Sequence, residues 1–392
     1  MEHNVVVIGA GYAGLAAAVR AARGGPARMT LVNERAHFVE RVRLHEAAAG
    51  RRSTGRRLDR VLDGTGVSLA VGRATGIDTE RHRIRVTGAD GAAEIGYDTL
   101  VYAPGSGADT SSVPGAGRYA YTLAGFGPAR ALGEALPRLA AERATVAIVG
   151  GGLTGIEAAA ELAEARPGLR VRLVTRGRLG ARFSPRGRRH LLRTLERLGV
   201  AVAENAAVAE VRADGVVLAD GSAIPAGAVV WSTGYTVPGL ARAAGIRVDA
   251  AGRVVVDGTQ RSVSHPDVYA VGDAARAAGP GGGELRMSCA AGLPMASEAA
   301  RAITARIAGR EPRDLRFRFY IRCVSLGRRD GLIQFVAPDD TPHPAVITGR
   351  AAARVKEAVV RGAAAFTYGA TVPLGSRPRP LAPMAEEPSP VA

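Results

Sequence analysis

The sequence predicts an α/β protein in which one parallel-sheet unit is built twice, with a small α+β unit at the C-terminal end. Two segments share one plan: NVVVIGAGYAGLAAAVRAA…RMTLVNE (4–34) and TVAIVGGGLTGIEAAAELAE…RVRLVTR (145–176). Each opens on a β-branched apolar strand, turns on G-x-G-x-x-G, continues as an alanine-rich helix and closes on a second apolar strand. Gly9 to Glu34 spans 25 positions, and so does Gly150 to Thr175. One such glycine signature is weak evidence, but two copies in matched context are strong. A third observation agrees: TLVYAPGSGAD (99–109) and AVVWSTGYTVPG (228–239) each run from an apolar strand into a glycine turn, as a chain does on leaving such a unit.

The glycines have separate physical tasks. Gly9 and Gly150 allow the tight turn out of the strand, while Gly11 and Gly152 carry no Cβ and let the backbone approach a pyrophosphate. Gly14 and Gly155 let helix and sheet pack closely. The phosphates then lie at a helix N-terminus, where unpaired N–H groups and the helix dipole favour negative charge. These are Rossmann-like dinucleotide-binding units. Glu34 ends the first one with a carboxylate suited to the ribose hydroxyls of an adenosine. At the same count the second has Thr175, followed by Arg176 and Arg178. A guanidinium there binds the 2′-phosphate of NADP(H), which a carboxylate repels. The same arginines also suit a solvated loop in an arginine-rich chain.

Composition bounds the remaining possibilities. The chain has 392 residues, 47% hydrophobic and 4% aromatic, with a formal charge of +16. That length allows two or three domains. No run reaches the ~20 apolar residues of a membrane span, and the N-terminus has no signal-peptide pattern, so a cytoplasmic protein without peripheral membrane contact is expected. Cys289 and Cys323 make neither a disulfide framework nor a metal-ligand spacing, and no metal is expected. Lys356 is the only lysine among 52 basic residues. The arginines are scattered rather than massed, which suits solubility better than nucleic-acid binding. Nucleic acid is therefore not an expected partner, whereas a small molecule is, with the chain a monomer or homodimer. GRRSTGRR (50–57) reads as a solvated loop.

SHPDVYAVGDAAR (264–276) adds an apolar strand that delivers Gly272 and Asp273 to a loop and helix, where the carboxylate can bond a ribityl hydroxyl. With this element the order resembles the two-dinucleotide-binding-domain flavoproteins, the pyridine nucleotide–disulfide oxidoreductase superfamily, over about residues 4–367. The resemblance implies an FAD domain at 1–118 and 255–312, split around an NAD(P)H domain at 119–254. A closing domain follows at 313–375, then a proline-rich, disordered tail at 376–392. It also implies flavin contacts at Tyr12, Ala13, Arg35, Arg41, Ala74, Ala103, Gly105 and Pro294, and nucleotide contacts at Leu153, Thr154, Thr233 and Gly234.

Disulfide reductases of this superfamily carry a redox cysteine pair soon after the first unit, and HFVERVRLHEAAAG (37–50) has none. Isolated Cys289 and Cys323 read as small buried hydrophobes and match sulfide:quinone reductases poorly. The remaining resemblance is to the type II NADH dehydrogenase-like group, in HFVERVRLHEAAAG, LTGIEAAAEL (153–162), SLGRRDGLIQF (325–335) and TGRAAARVKEAV (348–359). It implies that Glu157 lies near the contact of nicotinamide and flavin and positions the nicotinamide or manages a proton. It also puts Arg43, His45, Tyr320 and Arg322 on the acceptor side, with His45 a proton donor or a satisfied structural histidine. Phe317 and Phe319 alternate with arginine at strand period and are expected to face the core. Two departures argue against respiratory quinone chemistry. Ala296-Ser297 replaces that group's Ala-Gln, and PLGSRPRPLAPMAEEPSPVA (373–392) is not a membrane-anchoring end.

The resemblance implies hydride transfer from nicotinamide C4 to flavin N5 and onward to a quinone-like or small aromatic acceptor, with FAD and NADPH as cofactors and NADH possible. Two other readings stay open. One is a flavoenzyme that oxidises a specialised metabolite with an idle nucleotide site. The other is a redox-responsive binding protein, which a steep salt dependence of DNA binding would reveal.

Overall fold

The computed structural model describes residues 2–51 and 55–369. The expected tail at 376–392 and the centre of GRRSTGRR lie outside the described residues. The β-branched run Val5–Ile8 forms the middle of a five-stranded parallel sheet, ordered Val67–Val71, Ala27–Asn33, His3–Ile8, Thr99–Tyr102, Val268–Ala270. Covered on both faces, such a strand needs a continuous apolar run rather than alternation. The second sheet repeats the plan in the order Ala201–Ala203, Arg170–Val174, Thr145–Val149, Ala228–Trp231, Ala120–Thr122, again all parallel. In both sheets the strand order reverses beside the first strand. The crevice at the carboxyl ends of the strands next to that reversal is where α/β sheets bind ligands.

The strand that completes the first sheet, Val268–Ala270, follows the whole second sheet in the chain. The two strand exits meet: Gly107–Ala108 pairs antiparallel with Tyr235–Thr236, so the two units face each other through their exit turns. A three-stranded antiparallel sheet flanks each unit, Arg73–Asp78, Arg83–Gly88 and Gly91–Gly96 in the first, and Val208–Arg212, Gly215–Leu218 and Ala223–Pro225 in the second. The helix Cys289–Ile307 lies along Tyr12–Ala22; both are rich in alanine, which lets their backbones come close. At the C-terminal end, strands Ile321–Ser325, Gly331–Val336 and Pro342–Thr348 form an antiparallel sheet, and helix Gly349–Thr367 folds back over it.

One expectation holds and one changes in detail. Asp273 leads into a loop and then a helix, as expected. A single 3-10 turn, Gly272–Ala274, comes first, and the helix starts only at Cys289. Ala275–Arg276 is drawn into pairing with Val254–Val255, and the GPGGG run that follows (279–283) makes only a 3-10 turn at Pro280–Gly282. The strand pattern of RFRFYIRC holds for burial but not for pairing. Phe317 and Phe319 are buried edge to face, 4.8 Å between ring centroids, whereas the hydrogen-bonded strand begins at Ile321.

Candidate active site

The outer glycines of the two turns pack as the spacing implies. A Cβ on Gly9 would meet the Ala103 carbonyl oxygen at 2.3 Å, and one on Gly14 would meet the Gly9 oxygen at 1.9 Å. In the second turn a Cβ on Gly150 would meet the Ser232 oxygen at 2.5 Å, beside Thr233, and one on Gly155 the Gly150 oxygen at 1.9 Å. Protein atoms therefore explain the outer glycines. They do not explain the middle ones: a Cβ on Gly11 or Gly152 would have nothing within 4 Å. Each middle glycine is also the N-cap of its helix, Tyr12–Ala22 or Leu153–Ala165, with no side chain capping it. Free N–H groups thus face open space over a surface without a Cβ, which fits a pyrophosphate. Leu153 and Thr154 form the first turn at the second such site. Gly234, at φ +71°, packs on Asp109 at the exit.

Backbone pairing corrects one register. Gly9 N–H donates to the Val32 carbonyl, and Gly150 N–H to the Val174 carbonyl. Asn33 and Thr175 are therefore equivalent, and both reach the glycine turn: Asn33 Oδ1 accepts from Ala10 N–H, and Thr175 Oγ1 lies against Gly151. The residue equivalent to Glu34 is Arg176, not Thr175. The path from glycine to strand end is one residue longer in the second unit, so an equal count lands one position short. Glu34 is exposed beside Arg35, and Arg176 and Arg178 are exposed as well. Glu204 on the neighbouring strand end is held by Leu179 N–H and Arg188, each at 2.7 Å.

Around the first turn the fold gathers a polar cluster. Ser106 Oγ donates to Asp273 Oδ2 at 2.7 Å, and Arg41 Nη1 stands 4.0 Å from the same carboxylate, close to Gly105. Gly272, at φ +71°, touches Ala13, and Gly292 lets the helix Cys289–Ile307 approach both. Sequence reasoning missed Ser106 and Gly292. Ser106 carried no motif signal, but Gly292 stood out as a glycine two residues before Pro294 in an alanine-rich helix. Tyr12 serves the turn through its backbone, because its ring is buried edge-on against Phe38 at 5.1 Å. Ala74 lies in Arg73–Asp78, just past the end of Val67–Val71, apart from the cluster.

Glu157 carries the second cluster. Four residues into Leu153–Ala165 it faces inward, 7% exposed, and its Oε1 accepts from Lys356 Nζ at 2.9 Å and from Ser325 N–H at 3.1 Å. Burial pushes its carboxyl up, but the charges of Lys356 and His45 and the Ser325 N–H outweigh this and hold it below the usual carboxylate range. Burial likewise opposes the charge on Lys356, and Glu157 more than restores it. His45, 4% exposed, lies within electrostatic reach of Glu157 and of Glu161 one turn on. Glu161 is bonded by Arg51, and burial raises its carboxyl.

Arg43, expected as a catalytic group, is instead consumed by carboxylates: Nε bonds Glu40 at 3.0 Å, Nη1 Glu46 at 3.0 Å and Nη2 Glu357 at 2.8 Å. With every arm engaged it ties the helix Leu44–Ala48 to the C-terminal helix and positions its neighbours. Arg322 is similarly buried between Asp340 and the Arg182 carbonyl, and Tyr320 lies at the surface under Arg318. Sequence reasoning overlooked Lys356 as a site residue, although a signal was present. In a chain that uses arginine for every other basic position, the one lysine is the one buried against Glu157.

Two glycine cradles lie on units joined through their exit strands, with the carboxylate of a buried carboxylate–ammonium pair on the helix that follows the second. Residues 3–302 match the family described as pyridine nucleotide-disulphide oxidoreductase. The chain belongs to that family. It is accordingly an oxidoreductase of an FAD-dependent, NAD(P)H-using family. An NADH dehydrogenase-like protein of Mycobacterium tuberculosis is 32% identical over 353 residues, 83% of this chain and 86% of the relative. A demethylphylloquinone reductase of Synechocystis is 26% identical over 69% of this chain and 72% of that relative. Among solved structures, NDH2 of Plasmodium falciparum superposes with a TM-score of 0.80 at 13% identity, over 94% of this chain and 97% of that one. Sulfide:quinone oxidoreductase of Aquifex aeolicus does so at 0.78 and 20%, over 92% and 90%. At those identities the structural likeness speaks for the fold. No helix among the described residues is long and apolar enough to cross a membrane.

Proposed function

We propose that this flavoprotein oxidises NADPH in preference to NADH and passes the electrons to a small, quinone-like aromatic acceptor. The observation that carries the nucleotide reading is Arg176, an exposed guanidinium at the position where the first unit has Glu34. Paired charged hydrogen bonds from guanidinium to phosphate favour the 2′-phosphate, and no carboxylate occupies that position to repel it. The open cradle over Gly11, with Glu34 at its ribose end and the Arg41–Ser106–Asp273 cluster at the other, suits FAD. The cradle over Gly152, leading to Arg176, suits NADPH. We accordingly take 1–118 and 255–312 as the flavin-binding unit, 119–254 as the nucleotide-binding unit and 313–375 as the closing unit.

Bound FAD would supply the chemistry of accepting a hydride from the reduced nicotinamide and passing electrons to the acceptor. The chain's own residues align the reactants and handle charge. Glu157 and Lys356 form a fixed ion pair between the nucleotide helix and the C-terminal helix. Its ammonium, held charged by Glu157, can stabilise a developing acceptor oxyanion. His45 adds a group able to carry a proton on the same side, and Arg43 holds it in place. Anaerobic titration with NADPH and, separately, NADH tests the reading. Bleaching of the flavin band is expected to be fast with NADPH and slow with NADH. Equal rates overturn the nucleotide preference, and no bleaching by either overturns the reductase.

A further inference from the structure

A cleft of about 640 Å³ opens between the helix Leu44–Ala48 and the C-terminal helix Gly349–Thr367. That is the size of an ordinary small-molecule site, roughly 300–1,000 Å³. Its inner wall is His45, Ser325 and Lys356, and the last two hold Glu157. The cleft therefore leads to the ion pair assigned above to the acceptor. Its mouth has the opposite chemistry to that of a long-tailed neutral quinone site. Arg329, Arg350 and Arg354 are exposed there and have no hydrogen-bonded or ionic partner among the described residues. The two acidic residues of the lining, Glu46 and Glu357, are already spent on Arg43, Arg328 and Arg361.

Three unpaired guanidiniums around a concave opening focus a positive potential and repel one another. An anion relieves that repulsion, and the forked donors of arginine match carboxylate, sulfonate or phosphate oxygens. Apolar surface from Val42, Ala353 and Val360 is left for a planar ring.

We propose that this cleft takes an anionic aromatic acceptor, its ring directed at Lys356 and its carboxylate, sulfonate or phosphate held by Arg350, Arg354 and Arg329. The inference rests on the reductase reading and supplies its substrate class. For a quinone the balance is one quinone, one NAD(P)H and one proton giving one hydroquinone and one NAD(P)⁺. The second proton enters from solvent through the open cleft.

The test is calorimetric binding of 1,4-naphthoquinone-2-sulfonate and of menadione to the oxidised holoprotein without nucleotide. Its outcome does not depend on whether NADPH reduces the flavin. The sulfonate is expected to bind at least about tenfold more tightly in low salt, with the gap closing as salt screens the mouth. The ratio of the two affinities is expected to fall about tenfold in R350E/R354E and by less in R350Q/R354Q. Equal affinities for the two quinones, or a preference untouched by salt and by both variants, would overturn the inference. Binding to phosphatidylglycerol vesicles that R350E/R354E abolishes, without any sulfonate preference, also overturns it and gives the arginines to an anionic membrane. Flavin bleaching by NADPH, followed in the same samples, reports separately on the reductase.

Discussion

Arg176 and Glu157 are single side chains whose meaning depends on what stands opposite them. For Arg176 the expectation is simple. Arg176→Glu removes charged hydrogen bonds to the 2′-phosphate, worth about 1.5–3 kcal/mol, and adds repulsion. KM for NADPH is therefore expected to rise about 10- to 100-fold while that for NADH falls, as steady-state kinetics with both nucleotides will show. An unchanged ratio would make Arg176 a solvated loop residue. Glu157 calls for a paired experiment. Glu157→Gln leaves the Lys356 ammonium buried without its partner, at a cost of about 3–5 kcal/mol. Glu157→Gln combined with Lys356→Met removes both charges and is expected to recover most of that stability in urea unfolding, but not turnover. Recovery of both would reduce the pair to a structural contact. Because the carboxyl of Glu157 is held below its ordinary value in the fold, its contribution is present above the carboxylate range and disappears as the pH falls through it.

Among the elements, the helices Tyr12–Ala22 and Leu153–Ala165 pack through one motif glycine and leave open space over another, and substitution at the two separates packing from the proposed binding. Gly14→Ala drives a Cβ into the Gly9 carbonyl, an overpacking that costs about 1–3 kcal/mol. The variant is expected to show a lower melting temperature even as apoprotein. Gly11→Ala meets no protein atom and has an ordinary φ of −75°. It is expected to fold normally and lose flavin, read from the absorbance ratio after gel filtration. Retention of full flavin by Gly11→Ala would mean that the pyrophosphate lies elsewhere. The packing role was legible in the spacing alone. The register of Arg176 was not, because the helix-to-strand path length shows only in the hydrogen bonds Gly9–Val32 and Gly150–Val174.

At the scale of the whole molecule, Asp330 ties the second unit to the C-terminal sheet. It lies in the turn before Gly331–Val336 and accepts from Arg197 at 2.6 Å and Gly331 N–H at 2.7 Å, with His190 at 2.8 Å, the arginine and histidine both on the helix Pro185–Arg197. Burial pushes its carboxyl up, but these partners outweigh burial and hold it low. Asp330→Asn is expected to lower stability by about 1.5–3 kcal/mol at neutral pH. Because the folded group stays ionised to lower pH than the unfolded one, that difference closes as the pH falls below about 4. Urea midpoints of wild type and variant across pH will show it, and a difference constant with pH would rule out the charge as its source.

By itself the sequence determined the α/β class, the doubled glycine turn and the membership that follows from it. These depend on residues close together in the chain, where strand, turn and helix signals reinforce one another. It also marked Glu157, through the resemblance of LTGIEAAAEL to a group that carries a carboxylate at that place. Only the tertiary structure brought Lys356 and Ser325 to Glu157, turned Arg43 from an acceptor-side candidate into a clamp, and left three arginines without partners among the described residues around one cleft. Those groups are far apart in the chain, and their charges acquire a role only through the burial and the partners that folding assigns them.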